Sequence, residues 1–143
     1  MRKYLEEIGI SESQTCSPMT TADDDSRMPR FIKQREEYGF DERETWALNF
    51  TFACWLYEHL RMYLEVGGQM VNLSYHHFDI PVLNEDNTET IENHTQEECI
   101  VLCCQYLENY LKLENDVDML ESADRNLKAA IKIFAEISPA MWW

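Results

Sequence analysis

The sequence predicts a mainly α-helical fold: three principal helices in a bundle, with a small β-hairpin or irregular insertion and an N-terminal arm. Three observations predict it. Apolar residues recur at three- and four-residue steps in three long segments. A capping box opens one of them. A hydrophobic content of 45% with 12% aromatics gives a core that a disordered acidic chain would lack. At 143 residues one domain is expected, divided into an arm over 1–37 and an acidic helical domain over 38–143.

The arm opens with a short helical stretch around Lys3 to Ile8. Ser11 to Arg30 is rich in Ser, Thr, Asp and Pro and reads as an extended linker. The first strong helix follows Gly39-Phe40. Asp41 suits its cap, and Glu42 and Glu44 suit the positive end of its dipole. Trp46, Phe50, Ala53, Leu56, Leu60, Tyr63 and Leu64 form its stripe, widened by Leu48, Phe52 and Trp55. Gly67-Gly68 is expected to stop it.

Val71, Leu73 and Tyr75 alternate as in a strand. Ile80 to Leu83 and Thr88 to Ile91 read as a small hairpin around Asn84-Glu85-Asp86-Asn87, with Pro81 marking an edge. The second helix starts at the capping box Thr95-Gln96-Glu97-Glu98 and buries Cys99 or Ile100, Cys103, Leu107, Tyr110 and Leu111. Asn115 to Asp118 breaks the run. The third helix buries Leu120, Ala123, Leu127, Ala130, Ile131, Phe134 and Ile137, and ends at Ser138-Pro139. The terminal Trp142-Trp143 is expected to fold back over the core.

Charge is the chain's strongest signature. It carries 27 Asp and Glu against 12 Lys and Arg, a net of −15. Met62 to Leu111 holds no Lys or Arg and nine carboxylates. Such a surface repels phosphate backbones and anionic lipid, and attracts basic protein surfaces. Direct nucleic-acid or membrane binding is therefore not expected. The apolar runs are too short to span a bilayer, and Met1 to Glu7 does not read as a secretory signal. The odd cysteine count, Cys16, Cys54, Cys99, Cys103 and Cys104, suggests free thiols in a reducing cytoplasm.

Chemical motifs are sparse. The four glycines form no phosphate-cradling loop. The pairs Asp41/Glu44, Asp118/Glu121 and Glu121/Asp124 have the spacing used by magnesium-dependent all-α pyrophosphohydrolases, but they sit where helix capping explains them. Asp116, Asp118 and Glu121 resemble the front of a calcium loop without its glycine. Cys99 and Cys103 are one helical turn apart and lack two further ligands, so they read as core. No catalytic residue, cofactor or metal site is assigned. Arg27, Arg30, Lys33 and Arg35 form a basic cluster expected to lie on the protein's own acids.

The segment Tyr38-Gly39-Phe40-Asp41-Glu42-Arg43-Glu44-Thr45-Trp46-Ala47-Leu48-Asn49 resembles one common in small uncharacterised acidic proteins of phages and prophages of Gram-positive bacteria. Those proteins share a GF-D-E-x-T-W-x-L-D/N opening, a long helix with aromatics, and a chain ending in a helix and a tryptophan. The likeness runs from Tyr38 to Trp143, leaving 67–93 and the arm before Arg35 unmatched. It implies a setting, a mobile element in the cytoplasm of a bacterial host, and carries no activity to transfer. By analogy, small acidic helical proteins there resemble inhibitors of host defence nucleases, including anti-CRISPR and anti-restriction proteins.

These readings converge on a non-enzymatic inhibitor that covers a basic, nucleic-acid-binding surface of a host nuclease, its carboxylates standing in for phosphates. The candidate contacts are Glu85, Asp86, Glu89, Glu92, Glu97 and Glu98, with Glu114, Asp116 and Asp118 as a second group. Two alternatives differ in chemistry. One is a structural or regulatory adaptor that grips through Trp142-Trp143. The other is the magnesium-dependent nucleotide hydrolase.

Overall fold

The computed structural model describes residues 2–11 and 25–142. It is mainly helical, with one two-stranded antiparallel sheet. Its contacts fall into two compact units, Met1–Trp55 and Leu56–Trp143. Most of the expected linker, with Cys16, lies outside the described residues, as does Trp143.

In the first unit, helix α1 (Lys3–Glu7) buries Tyr4 and Leu5. The sequence reading ran an extended arm to residue 37, but α2 (Met28–Tyr38) is a regular helix. Pro29 sits in its first turn, where no backbone donor is lost. Gly39 closes it in the left-handed conformation, φ 83°, donating its N–H to Arg35 O at 2.9 Å. The Ser- and Pro-rich composition before Met28 hid a helix whose stability comes from the acids beyond it.

Those acids flank α3 (Arg43–Trp46). Arg35 pairs with Asp41 at 3.1 Å and with Glu44, and Arg30 pairs with Glu42. Gln34 and Glu42 exchange two hydrogen bonds: Nε2 to Glu42 Oε2 at 3.0 Å, and Glu42 N–H to Gln34 Oε1 at 3.1 Å. Asp41 is buried and accepts from the N–H, Nε and Nη2 of Arg43, the last at 2.7 Å. Three members of the basic cluster, Arg27, Arg30 and Arg35, thus lie on the protein's own acids, as expected, with Arg27 on Asp25 at 2.8 Å; among the described residues Lys33 pairs with none. Buried Phe31 sits beneath the guanidiniums of Arg43 at 4.4 Å and Arg27 at 5.6 Å.

The expected single central helix is interrupted. Ala47 leaves helical geometry at φ −134°, ψ 66°, and α4 (Leu48–Met62) begins after it. Trp46 stands edge-on to Phe31 at 6.0 Å. Trp46, Leu48 and Trp55, expected in the buried stripe, are exposed, whereas Phe50, Ala53, Cys54, Leu56, Tyr57 and Leu60 form the buried line.

In the second unit, Gly67-Gly68 does not stop the helix. The chain passes through a π-helical turn, Tyr63–Gly67, where Gly68 N–H reaches Tyr63 O, and then through the short α5 (Gly68–Met70). Residues 71–76 form a loop rather than the strand suggested by Val71, Leu73 and Tyr75. The hairpin is present and longer than expected. Strand β1 (His77–Leu83) pairs antiparallel with β2 (Glu89–Thr95), Phe78 opposite His94 and Ile80 opposite Glu92. Asn84 N–H to Thr88 O at 2.8 Å closes the turn, and Asn87 takes a positive φ of 67°, which its short polar side chain tolerates.

Helix α6 (Gln96–Leu113) opens on the predicted capping box, with both reciprocal bonds formed between Thr95 and Glu98. A 3₁₀ turn, Val117–Met119, leads to α7 (Leu120–Ile137). Cys103 Sγ meets Ala130 O at 3.3 Å, and Asn109 Nδ2 donates to Asn126 Oδ1 at 3.1 Å. Position rises on one helix as it falls on the other, so α6 and α7 pack antiparallel. The buried face of α7 turns slightly from the expected one: Asn126, Ala129 and Ile133 are buried, and Leu120 and Ile131 are exposed. The hairpin lies along this pair. Ile80 is fully buried, and Leu83 N–H donates to the Tyr106 hydroxyl at 2.9 Å. Trp142 does not fold over a core: it is 78% exposed.

Candidate protein-binding surface

All nine acids singled out from the sequence fall in the second unit. Glu85 and Asp86 occupy the hairpin turn, Glu89 and Glu92 lie on β2, and Glu97 and Glu98 form the first turn of α6. Glu114, Asp116 and Asp118 lie between α6 and α7. Helix α6 has 18 residues and is therefore about 27 Å long. The two groups thus stand at opposite ends of that helix rather than side by side.

The first group contains a tight constellation. His94 places Nε2 3.3 Å from Glu92 Oε1 and Nδ1 3.2 Å from Glu98 Oε2. Glu98 also accepts the Thr95 N–H at 2.9 Å. That backbone bond, seconded by His94, holds the Glu98 carboxyl below the usual carboxylate range. The capping box was legible from four consecutive letters. The histidine bridge was not, because it needs the strand-to-helix corner to bring Glu92 round to Glu98.

Glu97, beside it, is exposed and, among the described residues, forms no ion pair or side-chain hydrogen bond. Together His94, Glu97 and Glu98 border a shallow groove floored by Val101, Leu102 and Gln105 on the outer face of α6. The sequence reading assigned these three floor positions no role. Val101 and Gln105 follow Glu97 at four-residue steps, and Leu102 follows Glu98 by four, which is the signal that would have found them.

The other acids are not equivalent. Glu89 pairs with Lys132 at 2.6 Å, across 43 positions of sequence, so its charge is partly answered. Asp86 accepts from the N–H and hydroxyl of Thr88, which lower its pKa and shape the turn. Glu85 is exposed and makes no ion pair among the described residues. In the second group, Asp116 caps the 3₁₀ turn through the Asp118 N–H at 3.0 Å. Glu114 is half-buried, and burial pushes its carboxyl up.

Several acids with metal-type spacing are held by arginines. Glu121, shared by two magnesium-type pairs and the calcium-like run, binds Arg125 at 2.7 Å, and Asp41 and Glu44 are held by arginines. Among the described residues no group of three or more His, Cys, Asp or Glu is set to hold a metal ion. Cys99, Cys103 and Cys104 are buried free thiols. Burial pushes Cys99 up to about 11 and Cys104 to about 12, and raises Cys103 as well. These are poor nucleophiles at neutral pH. No protein-family model, curated protein or solved structure matches this chain.

Proposed function

We propose that this protein is a non-enzymatic inhibitor that binds the basic, nucleic-acid-binding surface of a bacterial defence nuclease, in the manner of anti-CRISPR or anti-restriction proteins of phages. One observation carries the reading. Glu92, Glu97 and Glu98 converge at the start of α6, exposed, with His94 beside them and, among the described residues, no Lys or Arg paired to them. Exposed charges of one sign add little to folding, but together they steer association with a surface of opposite sign. Glu85 and Asp86 extend the set toward the hairpin turn.

The test is affinity capture from host lysate at low salt and at about 0.15 M salt, followed by association kinetics with the captured partner. Association that slows steeply with salt supports the reading, and a flat response removes it. The adaptor alternative is favoured by one observation, the exposed Trp142. It predicts salt-tolerant binding that is lost when the last two residues are removed.

A further inference from the structure

Near the start of α6 lies a cavity bounded by Val71, Asn72, Tyr75, His76, Gln96 and Trp142. Its two largest rings are unusually open, Tyr75 at 76% and Trp142 at 78% exposure. Tyr75 is nevertheless ordered by its neighbour: the His76 ring meets it edge-on at 5.0 Å. Glu97 N–H donates to Leu73 O at 3.1 Å, and Gln96 N–H to His76 O at 2.9 Å. These bonds pin the aromatic loop to the acidic first turn. Gln96 is buried at the back of the cavity. Asn72 Oδ1 accepts one bond, from Ser74 N–H, and keeps a second lone pair.

We infer that this cavity receives an arginine side chain of the basic partner, its guanidinium stacked on Tyr75 and Trp142. The inference rests on the acidic-surface reading and names one specific contact within it. Three features select a guanidinium over an apolar side chain. Trp and Tyr faces attract a planar cation. Glu97 and Glu98 directly follow the cavity-lining Gln96 in the first turn of α6, and no Lys or Arg occurs from Met62 to Leu111 or after Lys132. The third feature is an internal comparison. In the first unit the chain already places guanidiniums over Phe31 and Trp46, at 4.4 to 5.7 Å. Among the described residues no cation lies over Tyr75 or Trp142.

The test follows the Trp142 indole N–H by NMR in the full chain, assigned with Trp142→Phe. N-acetyl-arginine amide is titrated against N-acetyl-norleucine amide, which is apolar and uncharged. The expected result is a saturable shift with the arginine compound only, lost in Tyr75→Ala. Tyr75 lies outside the core, so that variant keeps the remaining amide spectrum. An equal shift with norleucine amide makes the cavity an apolar pocket and overturns the inference. So does an arginine shift that survives Tyr75→Ala. With the captured partner, Trp142→Ala is expected to weaken binding about tenfold. If it does not, while binding stays salt-sensitive, the arginine contact fails and the acidic surface stands. Binding insensitive to salt sinks the surface reading itself, whatever the NMR result.

Discussion

Two sets of carboxylates, one in each unit of this chain, are used in opposite ways. In the first, Asp25, Asp41, Glu42 and Glu44 each meet an arginine, and Asp41 does so fully buried. In the second, Glu85, Glu92, Glu97 and Glu98 face solvent, with no Lys or Arg partner among the described residues. Paired and buried, a carboxylate becomes a structural part whose removal strands its partner. Unpaired and exposed, it contributes little to folding and remains available to another molecule. A net charge of −15 conceals this division.

The largest expected effect that would break the comparison lies in the first unit. Asp41→Ala removes the buried carboxylate that Arg43, itself buried, shares with Arg35. Loss of one partner of a buried pair costs about 3 kcal/mol or more, read as a lower urea midpoint. The sign of its pH dependence follows. Hydrogen bonds from Arg43 chiefly, then Arg35, hold the Asp41 carboxyl below its ordinary 3.8. Its contribution is therefore complete above that value and is lost as pH falls through the lower folded value. Asp41→Asn should be less stable at neutral pH and lose less on acidification than the parent chain. Equal losses in both proteins would show that the pair is not what holds this unit.

Next in size is the matching change in the second unit. Glu92→Lys, Glu97→Lys and Glu98→Lys together should slow association with a basic partner by at least about tenfold. Thr95→Ala removes the acceptor for the Glu98 N–H and should cost about 1 kcal/mol of stability without greatly changing association. The smallest effect sharpens the contrast. Lys132→Ala frees Glu89 and should change stability by less than about 1 kcal/mol, because the pair is exposed. The same change should speed association slightly, since it adds one unanswered charge.

Much of the second unit could be read in the letters. The capping box, the turn chemistry around Asn84 to Asn87 and the three-to-four periodicity of α6 and α7 are local signals, and local physics decided them. The first unit resisted for the opposite reason. Helix α2 buries only Phe31, and its anchors Glu42, Asp41 and Glu44 lie six to twelve positions away. At the candidate surface the acids themselves were legible. The His94 bridge, the Lys132 pair that answers Glu89, and the length of α6 between the two acid groups required the fold.

The central claim is that position, not total charge, makes the start of α6 a binding surface. Two reversals of equal charge test it most directly: Glu97→Lys with Glu98→Lys in the second unit, against Glu36→Lys with Glu37→Lys on α2 of the first. Association rates with the captured partner should fall several-fold for the α6 pair and remain near the parent value for the α2 pair. Equal slowing by both pairs would contradict the claim and leave only the attraction of a uniformly acidic protein.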